Sequence, residues 1–215
     1  MKKKIELSFI LLSLLFTACT HKEVTYHPNG TVRSIIEYKG KKEHGLSVYY
    51  RDDGSKKLEI QLINGKKEGK MTRWFTGQKV ESVSFYKNDL LDGIERIYNR
   101  QGELTTEIHY QKGKKNGYYA SWHAHGLLKE KGAFYDDLFD GEWHYFDKRG
   151  FPVGEASFDK GNGTLIAYDE EGNLMKITHY VQNLKDGIEI EFASNGDTIK
   201  KTTYQQDRII AIKEY

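Results

Sequence analysis

The chain has 215 residues, of which 38% are hydrophobic and 13% aromatic, with 15 tyrosines, 21 glycines and only 2 prolines. Three lysines and one glutamate in residues 1–18 account for the formal net charge of +2, so the rest of the chain is neutral. This composition argues against disorder, because disordered chains are depleted in aromatic residues, and the balanced charge argues against nucleic-acid binding. The single cysteine, Cys19, excludes an intrachain disulfide and a zinc site built from paired cysteines.

The first predicted element is a lipoprotein signal peptide over residues 1–18. A basic start precedes an apolar run from Leu7 to Phe16, which is too short to span a membrane comfortably. The stretch Leu15-Phe16-Thr17-Ala18-Cys19 resembles a lipobox, in which the cysteine receives diacylglycerol and becomes the mature N-terminus. We therefore expect a lipid on Cys19, a short anchor linker over residues 19–23, and localisation to a membrane of the cell envelope. The alternative is an ordinary signal peptide followed by an incidental cysteine.

Residues 24–215 are predicted to form one repeat domain, because one set of glycines recurs every 24 residues with one spacing of 22, and a second set follows it. The first set comprises Gly45, Gly69, Gly93, Gly117, Gly141, Gly163 and Gly187. The second set, which follows at an offset of nine residues and once of eight, comprises Gly30, Gly54, Gly77, Gly102, Gly126, Gly150, Gly172 and Gly196. An aromatic column stands five residues after the first-set glycines: Tyr50, Trp74, Tyr98, Trp122, Phe146, Tyr168 and Phe192.

Each repeat is predicted to be a β-hairpin. Apolar and polar residues alternate after the first-set glycines, as in Leu46, Val48 and Tyr50, which indicates a strand with one buried face. Pro28 suits the second position of a type I turn, and Gly30 can take the left-handed conformation after it. A second strand then leads to a longer connection, such as 112–117. The unit around Gly163 is two residues shorter than the others, and its connection 159–163 is expected to be tighter.

About eight such hairpins are predicted to stack into an elongated antiparallel meander, because a lone hairpin buries too little surface to be stable. The all-β fold would then be stabilised by contacts between neighbouring repeats. The aromatic column is expected to form ladders, in which each cross-strand pair contributes about 0.2–1 kcal/mol. A second column stands seven residues before most first-set glycines: Tyr38, Leu62, Tyr86, Tyr110, Phe134 and Tyr180.

The motifs Tyr86–Gly93 and Tyr110–Gly117, together with Asn29-Gly30 and Asn195-Gly196 at the other turns, resemble the MORN-repeat variant family. That family includes YwqK-type antitoxin-like repeat lipoproteins. The resemblance covers about residues 24–207 and implies the repeat fold. The antitoxin label is the one part of the resemblance that implies an activity, namely binding and neutralising a toxin.

Candidate catalytic and metal-binding groups have simpler explanations. His123, His125 and His144 could bind zinc or copper only if they converged, and histidine is an ordinary residue at turn tips. Turn geometry explains the carboxylates before first-set glycines better than a pair of glycosidase acids. These carboxylates are Glu68, Asp92, Asp140 and Asp186. We expect no enzyme, no cofactor and no metal.

Lysines cluster in several of the predicted connections: Lys39, Lys41, Lys42, Lys66, Lys67, Lys112, Lys114 and Lys115. Stacking would bring them to one edge, where they could attract anionic lipid or an acidic partner, although solvation of the turns is the simpler interpretation. The function expected from the sequence is a membrane-anchored protein-binding or scaffold module of the bacterial cell envelope. The alternatives are an antitoxin or immunity protein that binds a toxin, and an enzyme acting on an envelope polymer.

Overall fold

The computed structural model describes residues 19–215, so the predicted signal peptide lies outside the described residues. The described chain forms one antiparallel sheet of 20 strands, with a single 3-10 turn at Ala124–Gly126. The predicted all-β meander of hairpin repeats is therefore confirmed. Within residues 19–215 no helix has the length and apolar content needed to cross a membrane.

The strands are β1 (Thr20–Tyr26), β2 (Val32–Lys39), β3 (Lys42–Glu43), β4 (Gly45–Tyr50), β5 (Lys56–Ile63), β6 (Lys66–Trp74), β7 (Val80–Lys87), β8 (Leu90–Leu91), β9 (Gly93–Tyr98), β10 (Leu104–Gln111), β11 (Lys114–Trp122), β12 (Leu128–Tyr135), β13 (Leu138–Phe146), β14 (Pro152–Asp159), β15 (Asn162–Tyr168), β16 (Leu174–Val181), β17 (Leu184–Lys185), β18 (Gly187–Phe192), β19 (Thr198–Gln205) and β20 (Arg208–Glu214). Each strand pairs with its neighbours along the chain, and the two-residue strands β3, β8 and β17 are the separated beginnings of β4, β9 and β18. Residues 20–23, predicted to belong to a linker, are part of β1, because they pair in register with β2.

One edge of the sheet, here called the turn edge, carries five-residue turns such as Arg51–Ser55. The Arg51 N–H donates to the Ser55 carbonyl at 2.8 Å, and the Gly54 N–H donates back to the Arg51 carbonyl at 3.0 Å. Gly54 has a φ of 79°, which side chains other than glycine rarely tolerate. In one repeat Gln78 occupies this position with a φ of 66°, so Gly77 stands one residue early in the sequence.

The opposite edge, here called the tip edge, carries two-residue turns. Gln111 already pairs with Lys114, so the longer connection predicted over 112–117 is wrong. Gly117 lies instead in a β-bulge inside β11, where three residues face His109 alone. Its φ is 99°, and an added Cβ would approach the Cβ of His109 at 3.4 Å. These first-set glycines therefore belong to bulges rather than to the turns themselves.

The short repeat lacks this bulge. Asp159 pairs with Asn162, Phe158 with Gly163, and the pairing continues without a shift. The turn at this tip has two residues, as at the other tips, so the prediction of a tighter connection is also wrong. Asn183, at the tip that follows, instead contacts the tip that precedes the short repeat. Its side-chain amide donates to the Asp137 carbonyl at 3.1 Å, and its side-chain oxygen accepts the Phe139 N–H at 2.8 Å.

One face of the sheet, here called the inner face, holds most of the buried side chains. Cross-strand pairing aligns Ser47, Ile60, Met71 and Ser84 in one row of this face, and all four are buried. Further along the array, Phe134, Trp143, Ala156 and Phe158 form the largest buried cluster. The opposite side is the outer face. The core is thus mainly a strip along the inner face, although Val48, Thr72 and Ala120 on the outer face are also buried.

Candidate protein-binding surface

The aromatic column lies along the turn edge. Each of its seven residues is the last residue of its strand and is half-buried. Tyr26, which ends β1, occupies the same position and is 60% exposed. The sequence pattern misses Tyr26 because no first-set glycine precedes it, although a step of 24 residues back from Tyr50 would have found it.

The column does not form the ladder that its spacing suggests, and this expectation is wrong. The ring–ring contacts of the described residues involve other aromatics, most of them on the inner face. Phe134 lies 5.2 Å from Trp143 and 5.4 Å from Tyr119, measured between ring centroids. Phe158 meets Tyr180 at 5.7 Å. The second column therefore supplies Phe134 and Tyr180 to the packed core, and the first column remains at the rim.

Two column residues line matching shallow cavities beside the turns. Tyr50 shares a cavity of about 500 Å³ with Val32, Ile35 and the turn glycines Gly30 and Gly54. Two repeats further on, Tyr98 lines a cavity of about 410 Å³. Its neighbours there are Lys79, Val80, Val83, Gln101 and Gly102. The cavities are built from corresponding positions, so the outer face repeats an apolar depression rimmed by one aromatic ring.

Polar partners change this depression in other repeats. Lys56 lies over the Trp74 ring, with its Nζ 5.4 Å from the centroid and 2.9 Å from the Glu59 carboxylate. The Tyr168 hydroxyl donates to Glu155 at 2.9 Å, and this hydrogen bond raises the pKa of Tyr168. The turn edge therefore carries depressions of similar shape whose polar partners differ from repeat to repeat.

On the inner face, by comparison, the tyrosines and lysines already contact partners within the sheet. Burial raises the pKa of Tyr110 and of Tyr119 to about 12, and the Tyr119 hydroxyl donates to Glu130 at 3.0 Å. Near the tips, lysines cover the rings: Lys115 lies 4.9 Å from the Phe134 centroid and Lys185 lies 4.8 Å from that of Tyr204. These groups already satisfy one another within the sheet.

The histidines singled out in the sequence have structural partners or separate positions. The ring Nε2 of His123 lies 3.0 Å from the carbonyl oxygen of Phe146 in the next repeat. His125 sits in the 3-10 turn with a φ of 73°, and His144 lies inside β13. The described residues contain no group of three or more histidine, cysteine, aspartate or glutamate side chains arranged to hold a metal ion.

Three of the four singled-out carboxylates bind backbone at the next tip. Glu68 accepts the Asn88 N–H at 2.8 Å, Asp140 accepts that of Lys160 at 3.1 Å, and Asp186 accepts that of Gln206 at 3.2 Å. These carboxylates therefore link each of these repeats to the next one.

The lysine clusters follow the tip edge, as stacking predicted, but the edge is of mixed charge. Lys114 pairs with Asp136 at 3.1 Å, and the backbone N–H of Lys115 donates to the Asp137 carboxylate at 2.9 Å. Exposed apolar side chains, including Leu90 and Val181, also lie beside the tips.

Cys19 is exposed and lies at the tip edge beside the first hairpin. Its carbonyl oxygen accepts the N–H of Gly40 at 3.2 Å. The same bond recurs between later tips, for example from the Gly65 N–H to the Glu43 carbonyl at 2.7 Å. Cys19 therefore makes the backbone contact that a preceding tip makes in later repeats.

Comparison with known proteins gives a repeat family. The family described as MORN repeat variant matches residues 22–39, 91–112 and 162–182. No curated protein matches the chain. Two solved structures match at 11% identity and cover 87% of this chain: "Crystal Structure of TcdB2-TccC3", with a TM-score of 0.16, and "Crystal Structure of TcdB2-TccC3-Cdc42", with a TM-score of 0.15. This chain spans 17% of the length of each of those chains.

Proposed function

We propose that this chain, which matches the MORN repeat variant family at three places, is a protein-binding module held at the bacterial cell envelope by a lipid on Cys19. The module binds a partner rather than catalysing a reaction. The partner lies along the turn edge of the outer face, across the aromatic column.

The observation that carries this proposal is the repeated depression at Tyr50 and Tyr98. Aromatic rings that are half-exposed beside apolar depressions provide large contact areas at low entropic cost, which is why they are enriched at binding hot spots. Their regular spacing along one edge favours an extended protein segment over a small ligand. On the inner face, by contrast, the cavity of about 350 Å³ beside Tyr119 and Phe134 is also lined by the charged residues Lys115, Glu130 and Asp137.

The anchoring part of the proposal is supported by Cys19 itself. It is the only cysteine of the chain, it follows the apolar run directly, and it is exposed at the tip edge. The turn edge lies at the other end of every strand, so an anchor at Cys19 leaves the aromatic column free for a partner.

The binding surface is tested by capture from envelope extracts of the native host. The wild-type chain is compared with a Tyr50→Ala/Tyr98→Ala double variant and with a control, Ile63→Ala, at the tip edge. We expect one partner that the wild type and the control retain and the double variant loses, by at least about tenfold, as hot-spot truncation predicts. Retention of every partner by the double variant would contradict the proposed surface.

The anchor is tested separately. In the native host, Cys19→Ser should move the protein from the membrane fraction to a soluble fraction, because the acyl chains would be missing. If the variant remains as membrane-bound as the wild type, the lipid on Cys19 is not the anchor. This outcome would leave the aromatic surface unaffected.

A narrower form of the proposal is that the partner is a toxin and the chain an immunity protein. It rests only on the antitoxin label of the resembling family. It requires a stoichiometric complex that abolishes toxicity, and the same Tyr50→Ala/Tyr98→Ala variant should then lose protection of the host.

A further inference from the structure

Three isoleucines form a row across the outer face around β16. Ile166 on β15 pairs with Ile177 on β16, which in turn pairs with Ile190 on β18. Side chains alternate between the two faces along a strand, and the residues next to two of these isoleucines, Thr178 and Glu189, are buried on the inner face. The three isoleucine side chains therefore project from the outer face.

Exposed apolar side chains widen this row into a patch, here called the isoleucine patch. Ile188 lies on the same strand as Ile190 and is 46% exposed. Met175 and Ile199 lie nearer the turn edge and are 48% and 44% exposed. The described strands form one sheet, so no second layer of described residues covers the patch. Contiguous exposed apolar surface of this kind marks an interaction site.

Opposite charges border the isoleucine row. Glu155 pairs with Ile166 across β14 and β15, and Lys201 pairs with Ile190 across β18 and β19. The row therefore runs from an acid through three isoleucines to a base, with Ile177 at its centre. Toward β4 the same row carries charged residues at shorter intervals: Glu59, Arg96, Glu107 and Lys131.

We propose that the isoleucine patch packs face to face against the same patch of a second copy of this chain, about a two-fold axis that lies in the interface along β16. Such an axis reverses the order of the row in the copy. Glu155 then faces Lys201 of the copy, Ile166 faces Ile190 of the copy, and Ile177 faces its own equivalent. A two-fold interface needs a self-complementary patch, and this row provides one.

The neighbouring rows match in the same orientation. On the turn-edge side, Tyr168 and Phe192 each lie two residues beyond an isoleucine of the row, so the axis sets Tyr168 opposite Phe192 of the copy. On the tip-edge side, the axis sets Ser157 opposite Thr203 of the copy, so that hydroxyl meets hydroxyl. An aromatic pair and a pair of hydroxyls thus flank the apolar centre.

The charges also select the direction of the axis. An axis along the row would set Glu155 against Glu155 of the copy and Lys201 against Lys201 of the copy, and like charges in juxtaposition disfavour that arrangement. The axis along β16 keeps the tip edges of both copies on the same side of the dimer. With the anchor proposed above, Cys19 of both copies can therefore reach one membrane. Tyr50 and Tyr98 lie outside the patch and remain free for the proposed partner.

The first test measures mass by analytical ultracentrifugation of the full chain carrying Cys19→Ser, in a density-matched detergent. We expect a dimer. Glu155→Lys or Lys201→Glu alone should weaken dimerisation by at least about tenfold, because each sets like charges face to face. An equimolar mixture of these two variants should dimerise again, because each chain then meets the opposite charge on the other. Glu59→Lys, in the same row but outside the patch, is the matched control and should change nothing.

The second test locates the axis. His179 lies on the outer face of β16, two residues beyond Ile177. In the Cys19→Ser chain, a short bis-maleimide should join His179→Cys to its equivalent, because β16 lies on the axis and stacked sheets are about 10 Å apart. Val83→Cys should not crosslink, because its equivalent in the copy is about 75 Å away at about 4.8 Å per strand.

Several outcomes would overturn the proposal: a monomer at all concentrations, a dimer that neither charge reversal weakens, a mixture that does not restore the dimer, or equal crosslinking at both positions. The Tyr50→Ala/Tyr98→Ala variant should remain dimeric. Failure of the dimer is therefore distinguishable from failure of the partner surface proposed above.

Discussion

Two tryptophans show how strongly position within one repeat changes the energetic role of a residue. Trp143 is 1% exposed, and its indole Nε1 donates to the carbonyl of Ala133 at 3.1 Å. It fits because Gly132 stands opposite: a Cβ there would overlap the indole ring. Trp122 belongs to the aromatic column and is only half-buried.

We expect Trp143→Ala to lower the free energy of unfolding by about 3–5 kcal/mol, because it leaves a cavity in the largest cluster. Trp122→Ala should cost about 1–2 kcal/mol, since much of that ring already contacts water. Urea denaturation of the two variants against the wild type measures the difference. Equal losses would mean that Trp122 is packed between repeats as the sequence alone suggests.

Buried tyrosines should make the fold sensitive to alkali. Burial raises the pKa of Tyr119 to about 12, above its ordinary value of 10.0. The neutral ring is therefore favoured in the folded state, and its contribution to stability is complete below pH 10 and is lost as the pH rises toward 12. The melting temperature should fall steeply over this window. Tyr119→Phe should be less stable at neutral pH, having lost its bond to Glu130, but should show a flatter decline. An unchanged slope would exclude Tyr119 as a source of the alkaline sensitivity.

For single residues, the sequence predicted which positions are equivalent between repeats, but not which face of the sheet each side chain occupies. A period of 24 residues identified both columns, and it correctly marked Phe134 and Tyr180 as large residues in equivalent places. It did not reveal which column faces the core. The reason is physical: Leu104 pairs with Tyr98 and Thr106 with Ile97, so the one-residue bulge at Thr105 breaks the alternation of faces along the strand.

Among the structural elements, the tip turns hold consecutive repeats together. The Asp137 N–H donates to the Lys115 carbonyl at 2.9 Å, and the Asp137 carboxylate accepts the Lys115 N–H at 2.9 Å. Asp89 and Asp207 repeat the carboxylate contact at their own tips. These three tips are thus linked to the preceding tip by both a backbone and a side-chain hydrogen bond.

We expect Asp137→Ala to lower the free energy of unfolding by about 0.5–1.5 kcal/mol, the usual net value of one hydrogen bond. The neighbouring Asp136→Ala is the control. It removes an exposed ion pair with Lys114 and a long hydrogen bond of 3.4 Å from the Asn116 amide. The ion pair should contribute about 0–1 kcal/mol and less at high salt. Thermal melts at low and high salt separate the two. If the loss of stability in Asp137→Ala depended on salt, Asp137 would stabilise the fold through its charge rather than through its hydrogen bond to the backbone.

Residues typical of turns also led to one wrong prediction of a connection. Glycine after asparagine or aspartate reads as a turn, so 112–117 was predicted to be one long connection. The pair Lys112-Gly113 alone forms the turn, and Lys112 adopts a φ of 51° without being glycine. Backbone pairing across the tip outweighs the local preference of Lys112, and no composition rule indicates that the later glycine belongs to a bulge.

For the whole molecule, the meander makes stability a sum over neighbours, and this can be tested by removing a period. Deleting residues 94–117 joins Gly93 to Tyr118 and preserves the register of every later strand. We expect this variant to fold with β-type circular dichroism and to lose only part of its stability. Deleting residues 94–105 removes half a hairpin and reverses the course of the following chain, so it should be far less stable.

Thermal melting of the two deletion variants provides the comparison. A cooperative transition in the 24-residue deletion and none in the 12-residue deletion is the expected result. If the smaller deletion were the more stable of the two, the repeat would not be the unit of folding. The large cluster around Trp143 lies outside both deletions, so loss of that core would not account for either result.

The pairing of every strand with its chain neighbours also determines how the protein responds to force. A pull between Cys19 and the far end of the array loads the backbone hydrogen bonds one hairpin at a time, as in opening a zipper, instead of shearing many at once. Such a sheet yields at low tension and lengthens in steps of about one repeat. A partner bound across several turns would clamp adjacent hairpins and raise the tension at which those steps occur. Held by one end at a surface, the array would act as an extensible tether that stiffens where it is occupied.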